Sequence, residues 1–136
     1  MGCVEMILLD THIWLRWLGL GSGPLPSNLV DYIDQADAVS VSAVSVWEAA
    51  WLVRGGRIEL KSPWDDWLEL ALKHAEVGVE PMTAAIAECA AWLPIHHRDP
   101  ADRFIIATAI KTDSRLVSLD TRFPMYTELA GRLVQA

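Results

Sequence analysis

Cysteine is scarce in this chain: 136 residues hold only Cys3 and Cys89. Two cysteines exclude a disulfide scaffold and any cysteine-rich zinc site. Long apolar runs are missing too, since every run stops well short of the ~20 residues that a membrane span needs. Met1 to Leu9 carries Glu5 and no Lys or Arg, whereas a signal peptide opens on a basic stretch. Met1-Gly2-Cys3 suggests N-myristoylation, but Met6 stands where that motif requires Ser or Thr. Reduced thiols without a leader point to the cytoplasm. Positive charge is in deficit: 11 basic against 18 acidic residues leave a net charge of −7. Generic nucleic-acid binding runs on counterion release by Lys and Arg, so a diffuse phosphate-binding surface is excluded. A nucleic-acid enzyme is not, but its phosphate contacts must run through a metal ion or a few placed basic residues. No Gly-x-x-x-x-Gly-Lys loop and no Gly-x-Ser-x-Gly elbow occur, which removes the P-loop and a hydrolase-type serine nucleophile.

What is present is a core. The chain is 52% hydrophobic and 21% charged, the composition of one compact domain over residues 1–136. Residues 1–5 read as an N-terminal extension ahead of Met6. Met6 to Leu9 is a continuous apolar run, which predicts a buried parallel strand ending at Asp10. Helices are predicted over Thr11 to Leu18 and Pro24 to Ala36, the second with Leu29 and Ile33 on its inner face. Ala38 to Val41 predicts a strand. A helix capped by Ser42 or Ser45 follows and ends at Gly55-Gly56. Ser62-Pro63 predicts a helix start with Ser62 as cap, running to Glu76. Gly78 to Pro81 predicts a strand. Thr83 caps a helix through Trp92, and His96 to Pro100 reads as a polar loop. Helix Ala101 to Thr112, strand Leu116 to Leu119 and edge strand Leu133 to Gln135 complete the chain. Strands alternating with helices give an α/β fold with a mainly parallel sheet.

Ligand sites in such sheets lie beyond the carboxyl ends of the strands. Asp10 and Asp120 each follow a predicted strand, Glu48 lies early in the next helix, and Asp102 opens a helix. Four acids are therefore expected near one edge of the sheet. Each has a plain alternative: Asp10 and Asp99 as helix caps, Asp102 as a favoured acid at a helix start, Asp120 as a turn residue. Glu48 resists one, because Val46-Trp47-Glu48-Ala49-Ala50-Trp51 is almost wholly apolar and a lone carboxylate there is costly. Four gathered carboxylates repel one another, and a hard divalent cation removes that conflict.

The residues resemble a known family. Leu8-Leu9-Asp10-Thr11-His12-Ile13-Trp14, Ser45-Val46-Trp47-Glu48, His97-Arg98-Asp99-Pro100-Ala101-Asp102-Arg103 and Leu119-Asp120 are similar to the four motifs of PIN-domain nucleases. They look most like the VapC toxins of bacterial toxin–antitoxin pairs, over positions 7 to about 135. The resemblance implies a PIN-like three-layer α/β/α fold. It implies a metal-dependent endoribonuclease that hydrolyses RNA phosphodiester bonds with a metal-activated water, uses Mg²⁺ or else Mn²⁺, forms a homodimer and is held inactive by a cognate antitoxin. It implies Asp10, Glu48, Asp102 and Asp120 as the catalytic and metal-binding acids, with Asp10 and Asp102 as direct ligands. Thr11 is implied to orient Asp10 or a site water; Asp99 and Arg103 are supporting residues. Ala101 departs from the Phe more usual at that place.

His12 reads as a polar residue beside the site, and His96 and His97 as members of a solvated loop. Arg98 and Arg103 flank the acids, one expected to pair with an acid and one to touch RNA, with Arg16 and Arg54 adding to a basic rim. Trp14 with Trp17, Trp47 with Trp51 and Trp64 with Trp67 share helix faces and suit a core or a protein partner, with base stacking as the alternative. Two rival readings stay open: a Mg²⁺-binding flavodoxin-like receiver domain, and a PIN-fold binding protein without activity.

Overall fold

A computed structural model describes residues 5–136. Of the expected N-terminal extension only Glu5 lies among the described residues. Its N–H donates to Asp37 at 3.1 Å, and its carboxylate accepts the Tyr32 hydroxyl at 2.6 Å.

Five strands form the sheet: β1 (Met6–Leu9), β2 (Ala38–Ser42), β3 (Val77–Glu80), β4 (Arg115–Val117) and β5 (Leu133–Val134). All neighbours are parallel, and the order is β3-β2-β1-β4-β5. A receiver-type sheet runs 2-1-3-4-5 instead, so that topology does not apply. Six helices cover the sheet: α1 (Thr11–Trp17), α2 (Ser27–Asp34), α3 (Ala43–Arg54), α4 (Trp64–Glu69), α5 (Ala84–Trp92) and α6 (Pro100–Lys111).

The layers follow from the alternation of side chains along a strand. In β1, Ile7 and Leu9 enter one core, with Ile13 and Trp14 of α1, Leu29 and Ile33 of α2 and Ala49 of α3. Leu8, between them, enters the other, with Ile86 and Ala90 of α5 and Ile105 and Ile106 of α6. The chain steps from β1 to β2 to β3 in one direction, then crosses back over β1 to β4. Right-handed crossovers put the helices of the two directions on opposite faces, which makes three layers. The reversal lies between β1 and β4, and open α/β sheets bind ligands at that point.

Local chemistry explains most boundaries. Ser42 caps α3, Thr83 caps α5 and Asp99 caps α6 ahead of Pro100. Three elements differ from the sequence reading by more than one residue. Helix α2 starts at Ser27, since Pro24 and Pro26 disfavour helical backbone in the residues before them. Helix α4 has Pro63, not Ser62, at its cap and no side-chain cap bond; it widens into a π-helical turn over Leu70–His74, closed by Glu76 at φ +56°. Strand β4 ends at Val117, so Asp120 does not follow it directly.

Candidate active site

The site lies where β1 and β4 end side by side, tied by a bond of 3.1 Å from the Asp10 N–H to the Val117 carbonyl. Asp10 is a cap and a site acid together. Its Oδ1 accepts the Ile13 N–H at 2.8 Å, and its Oδ2 accepts the Ser118 hydroxyl at 2.5 Å. Only 5% of Asp10 is exposed. Burial pushes its carboxyl above the ordinary range, and the bonds from Ser118 and Ile13 only partly offset that.

Glu48 projects from α3 one turn after Ser45. Its Oε1 accepts the Thr11 hydroxyl at 2.5 Å, and Thr11 Oγ1 also lies 2.8 Å from Ser45 Oγ. Thr11 thus orients Glu48, where the resemblance had it orient Asp10 or a water. Burial raises the Glu48 carboxyl against the Thr11 bond, and the Asp99 and Asp10 charges add to the rise.

Asp102, in the first turn of α6, is pushed up to about 6, by burial first and then by the Asp99 charge. Asp120 behaves differently. Partial burial alone would raise it, but the hydrogen bonds and charge of Arg122 outweigh that and hold its carboxyl below the ordinary value. Arg122 donates to it from its backbone N–H at 2.8 Å and from Nη2 at 3.1 Å.

His97 corrects the sequence reading most. It is buried, not solvated. Its Nε2 lies 2.6 Å from Asp102 Oδ2 and 3.6 Å from Asp120 Oδ2. The nearer contact is short but off the N–H axis, so Nε2 makes no directional hydrogen bond. Ligand atoms of His97, Asp102 and Asp120 all lie within 4.8 Å of one another. Asp10 and Glu48 stand outside that tight group but near enough for their charges to raise Asp102.

Arg103 makes no bond to the site acids among the described residues. Its guanidinium donates to the carbonyls of Ala90, Ala91, Leu93, Pro94 and His97, closing the end of α5 and the loop after it. Asp99 accepts the Ala101 N–H at 3.0 Å as the cap of α6. His12 is exposed beside the acids. Sequence reasoning passed over Ser118, whose one signal was a polar residue closing the apolar run Leu116-Val117.

The donor set fits a hard divalent cation: carboxylate oxygens with unspent lone pairs, three of the four carboxyls raised by burial and by neighbouring acids. Such a cation would sit among Asp10, Glu48, Asp102 and Asp120, with Ser118 and Thr11 orienting two of them. His97 is poorly suited as a ligand. The Asp99 N–H donates to its Nδ1 at 3.3 Å, which leaves the proton of the neutral ring on Nε2, facing the acids.

Fold and site together define a three-layer α/β protein with a cluster of carboxylates, able to hold a cation, at the switch of a parallel sheet. Residues 7–129 match the family model described as PIN domain, and the chain belongs to that family. Over 118 residues it is 39% identical to Ribonuclease VapC22 of Mycobacterium tuberculosis (strain ATCC 25618 / H37Rv), covering 85% of this chain and 88% of that protein. Several solved structures share the fold. VapBC2 from Rickettsia felis, bound to a DNA fragment from their promoter, has a TM-score of 0.69 at 15% identity, over 96% of this chain and 98% of that one. A toxin–antitoxin complex from Klebsiella pneumoniae has a TM-score of 0.64 at 17% identity, over 93% and 94%.

Proposed function

We propose that this chain is a Mg²⁺- or Mn²⁺-dependent endoribonuclease, the toxin of a cytoplasmic toxin–antitoxin pair, with Asp10, Glu48, Asp102 and Asp120 as its metal-binding and catalytic acids. The observation that carries the reading is the convergence of these four acids, three of them with raised carboxyls, at the carboxyl ends of β1 and β4. The similarity to a protein named a ribonuclease supports RNA as the substrate.

A cation held by these acids would supply charge neutralisation at the scissile phosphate and a more acidic water. The chain supplies the rest. Ser118 and the Ile13 N–H hold Asp10 in one orientation, and Thr11 does the same for Glu48. Arg122 keeps Asp120 ionised. In-line displacement leaves a 5′-phosphate and a 3′-hydroxyl.

A homodimer and an antitoxin partner are part of this reading. Trp92 and Ile95, 83% and 70% exposed, are apolar groups that such a partner would cover. No helix among the described residues is long and apolar enough to cross a membrane.

The test is incubation of purified protein with total RNA, with Mg²⁺ or Mn²⁺ and with EDTA, beside Asp10→Asn. Discrete metal-dependent cuts with 5′-phosphate ends, absent in Asp10→Asn, are expected. Folded, antitoxin-free protein that cuts nothing under any of these conditions would overturn the reading.

A further inference from the structure

On an acidic chain, basic groups stand out where they are unpaired. Arg54 and Arg57, at and just after the end of α3, have no carboxylate partner among the described residues. Beside them α3 leaves two indoles open to water: Trp47 is 58% and Trp51 57% exposed. The two rings are stacked, 5.7 Å apart and 13° from parallel. The Arg54 guanidinium lies over the Trp51 ring at 5.6 Å. An open cavity of about 350 Å³ is lined by Trp51, Arg54, Gly55 and Arg57.

We propose that this cavity is a base-stacking subsite for single-stranded RNA, in which a nucleobase lies on the Trp51 indole and Arg57 meets the adjoining phosphate. The proposal rests on the ribonuclease reading and deepens it.

Three observations favour RNA over a protein segment. First, a planar cation already occupies an indole face here. A base is planar too, and Arg54, long and exposed, can swing from the ring to a phosphate. Second, the rim is arginine and glycine; an apolar protein segment would call for an apolar rim. Third, the subsite is continuous with the acids. Arg57 also lines a second cavity, which extends past Arg16 to His12, and His12 is close enough to act electrostatically on Asp10 and Glu48. Trp51 itself stands three residues after Glu48, one turn or ~5 Å along the helix. A strand with its scissile phosphate at the acids therefore has an open groove leading to the indoles, with Arg57 where the two cavities meet.

Stacking of one base on an aromatic ring contributes roughly 1–3 kcal/mol. The experiment uses full-length protein carrying Asp10→Asn, so that RNA is held and not cut. Its affinity for a labelled, unstructured RNA of about ten nucleotides is read by fluorescence anisotropy. Trp51→Ala is expected to weaken binding roughly ten-fold or more, and Trp51→Phe to retain most of it. Arg57→Gln is expected to lower the slope of log K against log salt by ~0.7, the loss of one phosphate contact. In the cleaving protein, Trp51→Ala raises KM more than it lowers kcat. Trp51 is exposed, so these variants fold; circular dichroism checks this. Unchanged RNA affinity in Trp51→Ala overturns the proposal. A fall in molecular mass with that unchanged affinity assigns the face to contact between copies of the chain. If the parent protein neither binds nor cuts RNA, the ribonuclease reading itself has failed.

Discussion

The imidazole of His97 stands against the carboxylate of Asp102, with 2.6 Å between Nε2 and Oδ2. The ring cannot turn freely, because the Asp99 N–H holds Nδ1 from behind and the ring is almost wholly buried. The held, buried ring therefore limits where the Asp102 carboxylate can point, by contact and without a directional hydrogen bond, and it stands 3.6 Å from Asp120. Groups that orient a ligating carboxylate are typically worth 10–100-fold in metal affinity. His97→Ala is expected to weaken Mn²⁺ binding by about that factor in calorimetry, and His97→Gln, which can place an N–H near Nε2, to recover part of it. Wild-type Mn²⁺ affinity in His97→Ala would remove the orienting role.

Ser118→Ala frees one oxygen of the buried Asp10, and Thr11→Val frees one of Glu48 with little change of volume. Each is expected to cost about 10–100-fold in metal affinity and correspondingly in cleavage at limiting metal. Saturating Mg²⁺ should restore much of the rate, since the acids themselves remain. A loss of kcat that no metal concentration repairs would count against this division of roles.

The pH dependence has a definite sign. Asp102 has its carboxyl raised to about 6 from 3.8, chiefly by burial. Its charged form is disfavoured in the metal-free fold, so as pH rises from about 4 through 6 this group takes stability away. A divalent cation must displace the Asp102 proton below pH 6 and meets a ready anion above it. The rise in Tm on adding Mn²⁺ should therefore be larger at pH 7 than at pH 5, and Asp102→Asn should flatten that difference. An equal rise at both values in the unmodified protein would contradict the assignment.

The tryptophans should separate cleanly by stability. Trp14 is fully buried, with its ring 5.5 Å from that of Trp67. Trp14→Ala is expected to cost about 3–5 kcal/mol. Trp92 is mostly exposed, and Trp92→Ala should fall within about 0.5 kcal/mol of the parent in dilute monomer. Urea denaturation measures both.

Much of the fold was legible because its signals are local. The run Met6 to Leu9, the Ser42 and Thr83 caps and the Asp99-Pro100 helix start depend on a few consecutive residues. The misreadings around the site came where a distant segment intervened. The Ser118 hydroxyl donates to Asp10 and accepts the Asp120 N–H at 3.1 Å just past the end of β4, which is shorter than the expected strand Leu116 to Leu119. His97 sits in a polar stretch, which reads as solvated, but the Phe123 ring 6.3 Å away and the site acids cover it. Arg103 lies next to Asp102 in sequence, yet its guanidinium is taken up by the end of α5.

By itself, the sequence determined that Asp10 follows a strand and that Asp102 opens a helix, while it set Asp120 too close to the end of β4. Strand ends and caps are settled by interactions spanning about four residues or fewer. It also determined the family, through four short motifs in order. Only the tertiary structure decided the partner of each acid: Ser118 for Asp10 across 108 positions, Thr11 for Glu48 across 37, His97 between Asp102 and Asp120. The Ser118 and Asp120 pairings depend on β4 lying beside β1 and the Thr11–Glu48 pairing on β2 lying at its other edge, and strand order is set by how two cores bury their apolar faces at once, which no local pattern encodes.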